Sequence, residues 1–174
     1  MTLANWLTTL RLVATGPTVY FTARGELPLG FAFFLLGFLT DLLDGYLART
    51  RREVTATGKV LDPIADKLLF FGVFLSFALL GRIRWAALWG YLVPQLGLGV
   101  GAVYLYCARR EIRSAEIPGK AAAGATALAA FALYWTPWGR EIFWIAVGAN
   151  VLSALYYLFK IHRARGGTPT AGVR

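Results

Sequence analysis

The sequence predicts an all-α integral membrane protein, six transmembrane helices in a single bundle, on three observations. Of its 174 residues 57% are hydrophobic and only 16% charged, with a mean hydropathy of +0.56, whereas a soluble domain normally carries about 25% charged residues. The charges leave six uncharged runs, over residues 12–23, 27–40, 68–81, 85–108, 121–139 and 142–159. The Lys and Arg residues gather in alternate connections between those runs. Disorder and collagen are excluded by hydrophobicity and by the lack of a glycine period, and Cys107 is alone, so no disulfide framework exists. The net charge of +9 points to membrane flanks and not to nucleic acid, because Lys and Arg normally border spans in so apolar a chain.

Helices are expected near 4–22, 28–50, 59–81, 85–108, 119–138 and 141–163. A helix needs roughly 20 residues to cross a hydrocarbon core about 30 Å thick, and the last three uncharged runs satisfy that length. The first three are shorter, so their helices must carry ionisable residues: Arg11 in the first, Asp41 and Asp44 in the second, Asp62, Asp66 and Lys67 in the third. Charges at membrane depth are costly and face the bundle interior or a wet cavity, which marks a site. Turn signals at Pro28, Gly81, Pro118-Gly119 and Pro137 separate the helices. Residues 1–163 form one membrane domain and 164–174 a flexible tail. No internal repeat is present. Met1 to Leu10 has no basic n-region, so it reads as the start of the first helix and not as a removed signal peptide.

Twelve basic residues (Arg49, Arg51, Arg52, Lys59, Arg109, Arg110, Arg113, Lys120, Lys160, Arg163, Arg165, Arg174) fall on the side of both termini. Four (Arg24, Arg82, Arg84, Arg140) fall on the other. The positive-inside rule then puts both termini in the cytoplasm of a cell (inner) membrane.

Four of the nine acidic residues, Asp41, Asp44, Asp62 and Asp66, lie at the cytoplasmic ends of helices two and three. Asp41 and Asp44 are i and i+3, and Asp62 and Asp66 are i and i+4, so each pair shares a helix face. The connection between the helices is short, so antiparallel packing brings the pairs together. Four carboxylates in a confined space repel unless protonated or neutralised by cations. All-oxygen ligands favour hard cations, Mg2+ or Mn2+ before Zn2+. Gly45 and Ala48 let a ligand approach the backbone, Arg49 offers a planar fork to phosphate, and Gly58 precedes helix three, whose N-terminus can receive an anion. A metal-bridged pyrophosphate on a lipid or lipid precursor fits this set.

The run Asp41-Leu-Leu-Asp44-Gly45-Tyr-Leu-Ala48-Arg49, then Gly58, Asp62 and Asp66, resembles the signature D-x2-D-G-x2-A-R-x8-G-x3-D-x3-D of the CDP-alcohol phosphatidyltransferases. Eight positions at fixed spacing carry the match, and the hydrophobic layout agrees with that family's six-helix fold. The resemblance implies two Mg2+ or Mn2+ ions at Asp41, Asp44, Asp62 and Asp66, and the CDP moiety near Gly45, Ala48 and Arg49. It also implies Asp66 as general base, and a homodimer. The reaction implied is attack of an alcohol on the lipid-side phosphorus of CDP-diacylglycerol, with CMP leaving. Asn5 to Arg11 and Leu61 to Lys67 are similar to phosphatidylglycerophosphate synthases, which implies glycerol 3-phosphate as acceptor. Phosphatidylglycerol, as in cardiolipin synthases of the CDP-alcohol type, and inositol phosphate are the alternatives. The chain departs from those synthases at Pro94-Gln95, where they carry an Arg-Glu pair, and at Gly119-Lys120-Ala-Ala-Ala, where a second basic residue is missing. For an acceptor with its own phosphate, Lys67, Lys120, Arg109, Arg110 and Arg113 are the candidate contacts.

Other readings compete at several positions. Intramembrane carboxylates also line ion or proton pathways, so a small cation transporter is the alternative of a different class, and a scaffold subunit ranks below it. Arg51 and Arg52 read as topology anchors, and Arg109, Arg110 and Arg113 divide between anchoring and substrate contact. Arg11 either snorkels to the interface or joins Asn5 and Thr8 in a polar stripe facing the nucleotide. His162 reads as interfacial, Cys107 as packing, and the tryptophans as an interfacial belt. Gly97-x-Gly99-x-Gly101 lies inside a span and suggests close helix packing, not a dinucleotide fingerprint.

Overall fold

The computed structural model describes residues 3–51, 58–109 and 117–166, with side chains over 6–43, 64–99 and 117–160. It contains six α-helices: α1 (Leu3–Ala23), α2 (Leu27–Arg51), α3 (Gly58–Leu79), α4 (Trp85–Arg109), α5 (Ile117–Trp135) and α6 (Gly139–Gly166). These match the expected helices to within about three residues at each end. Two turns show why the breaks fall where they do. After α1, Gly25 N–H bonds to the Thr22 carbonyl and Glu26 N–H to Phe21. After α3, Gly81 N–H bonds to Ala78 and Arg82 N–H to Phe77. Both are Schellman caps, and they need the left-handed backbone of Gly25 (φ 81°) and Gly81 (φ 71°). At the far end of α5, Pro137 has no N–H to continue the helix. The Thr136 N–H and hydroxyl both bond to the Ala132 carbonyl, so α5 stops three residues before the expected end.

α3 is the central element, packed against α1, α2, α4 and α5, while α1 also packs along α2 and α6 packs along α4 and α5. Its Phe70, Phe74 and Phe77 recur at i, i+4 and i+7 and bury two aromatic clusters. On one side Phe34 of α2 stacks on Tyr134 of α5 and meets Phe70 and Phe131 edge-on. On the other Phe74 meets Tyr91 of α4 and Phe143 of α6 at 4.9 and 4.5 Å. This aromatic interior begins one turn beyond Asp66 and closes the bundle on that side of the carboxylates.

The apolar surface faces outward. Trp89, Val93 and Leu96 of α4, Leu128 of α5 and Ile145, Leu152, Leu155 and Phe159 of α6 are exposed, a larger unpartnered apolar area than a soluble monomer shows. Among the described residues α6 alone, over Gly139–Lys160, is long and apolar enough by itself to cross a membrane, and Leu27–Leu43 of α2 is a shorter apolar stretch.

The α1–α2 contact is close because Gly30 lacks a side chain. A Cβ there would strike Thr22 Oγ1 and come 3.0 Å from the Thr22 nitrogen, and the same Thr22 hydroxyl shares a 2.7 Å hydrogen bond with Tyr134 OH of α5. Overpacking of this kind costs about 1–3 kcal/mol. Gly30→Val is therefore expected to lower the melting temperature in detergent by more than Thr22→Val does, since Thr22→Val loses only a hydrogen bond. An unchanged midpoint for Gly30→Val would contradict the close approach.

Candidate active site

α1 turns a polar stripe inward. Thr8, Arg11, Thr18 and Thr22 are buried, at spacings of three, seven and four residues that keep them on one face. Thr15 and Thr18 return their hydroxyls to the carbonyls of Arg11 and Ala14 in their own helix. Trp6, Leu10, Val13 and Tyr20 occupy the outer face. A helix polar inside and apolar outside suits lipid surroundings, where nothing drives apolar side chains inward.

From this stripe Arg11, 0% exposed, extends its guanidinium to Asp41 of α2, with NH2 2.9 Å from Oδ1. The Asp41 side chain is 40% exposed, so one end of the pair is dry and the other is partly open. This overturns the snorkelling alternative for Arg11: the side chain goes into the bundle, because a carboxylate is waiting there. Thr8 is buried on the same helix face. Asp66 of α3 lies within electrostatic reach of Asp41, Arg11 and Lys67, so α1, α2 and α3 carry charge at the same end of the bundle. Tyr91 of α4, buried between Phe74 and Phe143, also feels Asp66. Sequence reasoning had no signal for Tyr91 beyond a Tyr within an apolar run.

α2 is unbroken to Arg51 and α3 begins at Gly58. Asp44, Gly45, Ala48 and Arg49 thus keep helical spacing from Asp41, as Gly58 and Asp62 do from Asp66. The side chains of these six residues, and of Asn5 and Arg109, lie outside the described residues, as do Arg110 and Arg113 entirely. Among the acceptor candidates, Lys67 donates from Nζ to the Gln95 carbonyl of α4 at 3.3 Å. Lys120 is exposed near the start of α5 and is not among the charges acting on Asp66.

The donor set suits a hard divalent cation. Asp41 and Asp66 are carboxylates on different helices within electrostatic reach of one another, Asp41 is partly exposed, and two more aspartates lie on the same helices. Among the described residues the full set of ligands is not assembled, since Asp44 and Asp62 fall outside. A separate groove of about 640 Å³, lined by Arg82, Tyr134, Trp135 and Arg140 among others, lies at the α3–α4 and α5–α6 turns and contains no motif residue.

A relative from Mycoplasma genitalium named CDP-diacylglycerol–glycerol-3-phosphate 3-phosphatidyltransferase is 33% identical over 124 residues, 60% of this chain and 52% of the relative. One of the same name from Aquifex aeolicus is 31% identical over 107 residues, 60% of each. A Drosophila melanogaster protein named probable cardiolipin synthase (CMP-forming) is 38% identical over 77 residues, 44% of this chain and 24% of the relative. The chain thus spans less than two thirds of the length of these relatives. The profile of the CDP-alcohol phosphatidyltransferases matches residues 1–154. With that match over most of its length, the chain belongs to the CDP-alcohol phosphatidyltransferase family, whose members generally use divalent metal ions.

Proposed function

We propose that this protein transfers the phosphatidyl group of CDP-diacylglycerol to an alcohol, with glycerol 3-phosphate as the acceptor and phosphatidylglycerophosphate and CMP as products. The observation that carries the reading is the buried Arg11–Asp41 ion pair between α1 and α2, with Asp66 of α3 within its electrostatic reach, in a chain of this family. The acceptor rests on the names of the bacterial relatives. The Drosophila relative supports a second acceptor, phosphatidylglycerol.

In this reading all six helices span the cell membrane with both termini cytoplasmic, the site opens at the cytoplasmic ends of α2 and α3, and two copies associate. The outward apolar side chains and the distribution of basic residues support it.

Asp41, Asp44, Asp62 and Asp66 would hold Mg2+ or Mn2+, two ions in all, which when bound supply charge neutralisation for the pyrophosphate. Gly45 and Ala48 leave room for the CDP moiety, Arg49 offers it hydrogen bonds, and Gly58, Asn5 and Thr8 border it. Arg11 is buried on Asp41 and holds that carboxylate in place. Asp66 accepts the proton of the acceptor hydroxyl as its oxygen attacks the lipid-side phosphorus and the bond to CMP breaks. Lys67 and Lys120, with Arg109, Arg110 and Arg113, bind an acceptor phosphate.

The direct test gives purified protein CDP-diacylglycerol, Mg2+ or Mn2+, and separately glycerol 3-phosphate, phosphatidylglycerol, inositol phosphate or serine, and measures CMP. Release with glycerol 3-phosphate is expected; cation flux without CMP would favour a transporter instead. Asp66→Asn is expected to lower turnover by about 10²- to 10⁴-fold, the usual worth of a positioned base, with CDP-diacylglycerol binding retained. Normal turnover would remove Asp66 from the role. Chelation is expected to abolish CMP release and Mg2+ or Mn2+ to restore it, whereas activity that survives chelation would contradict the carboxylate assignment.

A further inference from the structure

A line of polar groups continues from Lys67 through α4 to α6 and α5. Lys67 Nζ donates to the backbone carbonyl of Gln95. The side chain of the same Gln95 donates from Nε2 to Asn150 Oδ1 of α6 at 2.6 Å. Asn150, 1% exposed, gives its Nδ2 to Thr126 Oγ1 of α5 at 2.9 Å and to the Ala146 carbonyl at 2.8 Å. Thr126 donates its own hydroxyl to the Ala122 carbonyl at 2.8 Å.

The chain has a direction. Because Thr126 spends its proton on Ala122, its oxygen can only accept, so Asn150 must turn its NH2 toward it and its Oδ1 toward Gln95. Gln95 is then oriented as a donor. One residue is thereby clamped by its side chain to α6 while its carbonyl receives Lys67. Gly99 of α4 lies close by: a Cβ there would be in van der Waals contact with Lys67 Nζ, at 3.4 Å. Apolar residues would pack these helices without the cost of burying amides, a cost recovered only when every group is bonded.

We propose that Gln95 and Asn150 are positioning residues for Lys67, holding its ammonium beside Asp66 to receive the phosphate of the acceptor alcohol. This rests on the phosphatidyl-transfer reading above. Neither residue touches substrate; both act through the seat that α4 provides for Lys67.

Gln95→Leu and Asn150→Leu break the same link from two helices while nearly keeping side-chain volume. In CMP-release assays on the full chain, each is expected to raise KM for glycerol 3-phosphate about tenfold, comparable to one charge-assisted hydrogen bond. KM for CDP-diacylglycerol should stay within about twofold. In a Lys67→Met background, neither substitution should add a further rise, because residues acting through one group are not additive. Equal rises in both KM values, or losses that multiply with Lys67→Met, would overturn the positioning role and leave the transfer reaction standing. A wild-type protein that releases CMP to no phosphate-bearing acceptor would overturn the transfer reading as drawn here, and this proposal with it.

Discussion

The Arg11–Asp41 pair is the constraint on which the rest of the site depends. A guanidinium does not shed its proton in proteins, so an Arg with no exposed surface must find an anion or the helix carrying it cannot sit where it does. Asp41 meets that demand from α2, and this fixes the register of α1 along α2 at the level of the carboxylates. The close approach at Gly30 holds the same two helices at the other end, where the Thr22–Tyr134 hydrogen bond also ties α1 to α5. α1 is therefore pinned twice, by charge near the site and by packing away from it. Between those points its threonines satisfy themselves on their own backbone and ask nothing of their neighbours.

Around that pair the bundle divides into two kinds of interior. The aromatic half, built on Phe70, Phe74 and Phe77 of α3, gains its cohesion from ring contacts reaching α2, α4, α5 and α6. The polar half, with Asp41, Asp66, Lys67 and Arg11, is charged and partly open. α3 carries both, and the change from one to the other occurs between Lys67 and Phe70. A single rigid helix thus transmits the order of the packed half to the carboxylate end, where a reaction dominated by positioning and charge neutralisation would need it.

The six helices and the aspartate motif were legible because each depends on residues near in sequence: uncharged run lengths, turn signals such as Gly81 and Pro137, and carboxylates at i+3 and i+4. The side-chain geometry of Asp44, Gly45, Ala48, Arg49, Gly58 and Asp62 lies outside the described residues, so their spacing is what the structure supports. The partner of Arg11 was not legible, because it is thirty positions away and an Arg in a short apolar run can equally reach outward. Nor was the Gln95–Asn150–Thr126 chain, since isolated amides and hydroxyls in three separate runs have no periodicity to connect them. Gln95 stood out only as a departure from the Arg-Glu pair of related synthases, and its partners emerged with the packing of α4 against α6.

The most direct measurement is a double-mutant cycle on the pair, reading unfolding of the full chain in detergent for Arg11→Met, Asp41→Asn and the double variant. If the buried guanidinium depends on Asp41, each single substitution destabilises and the double loses less than their sum. The coupling should fall in the range of about 0.5–3 kcal/mol found for residues in direct contact. Strictly additive losses would contradict the account, because α1 would then be held in place by something other than this ion pair.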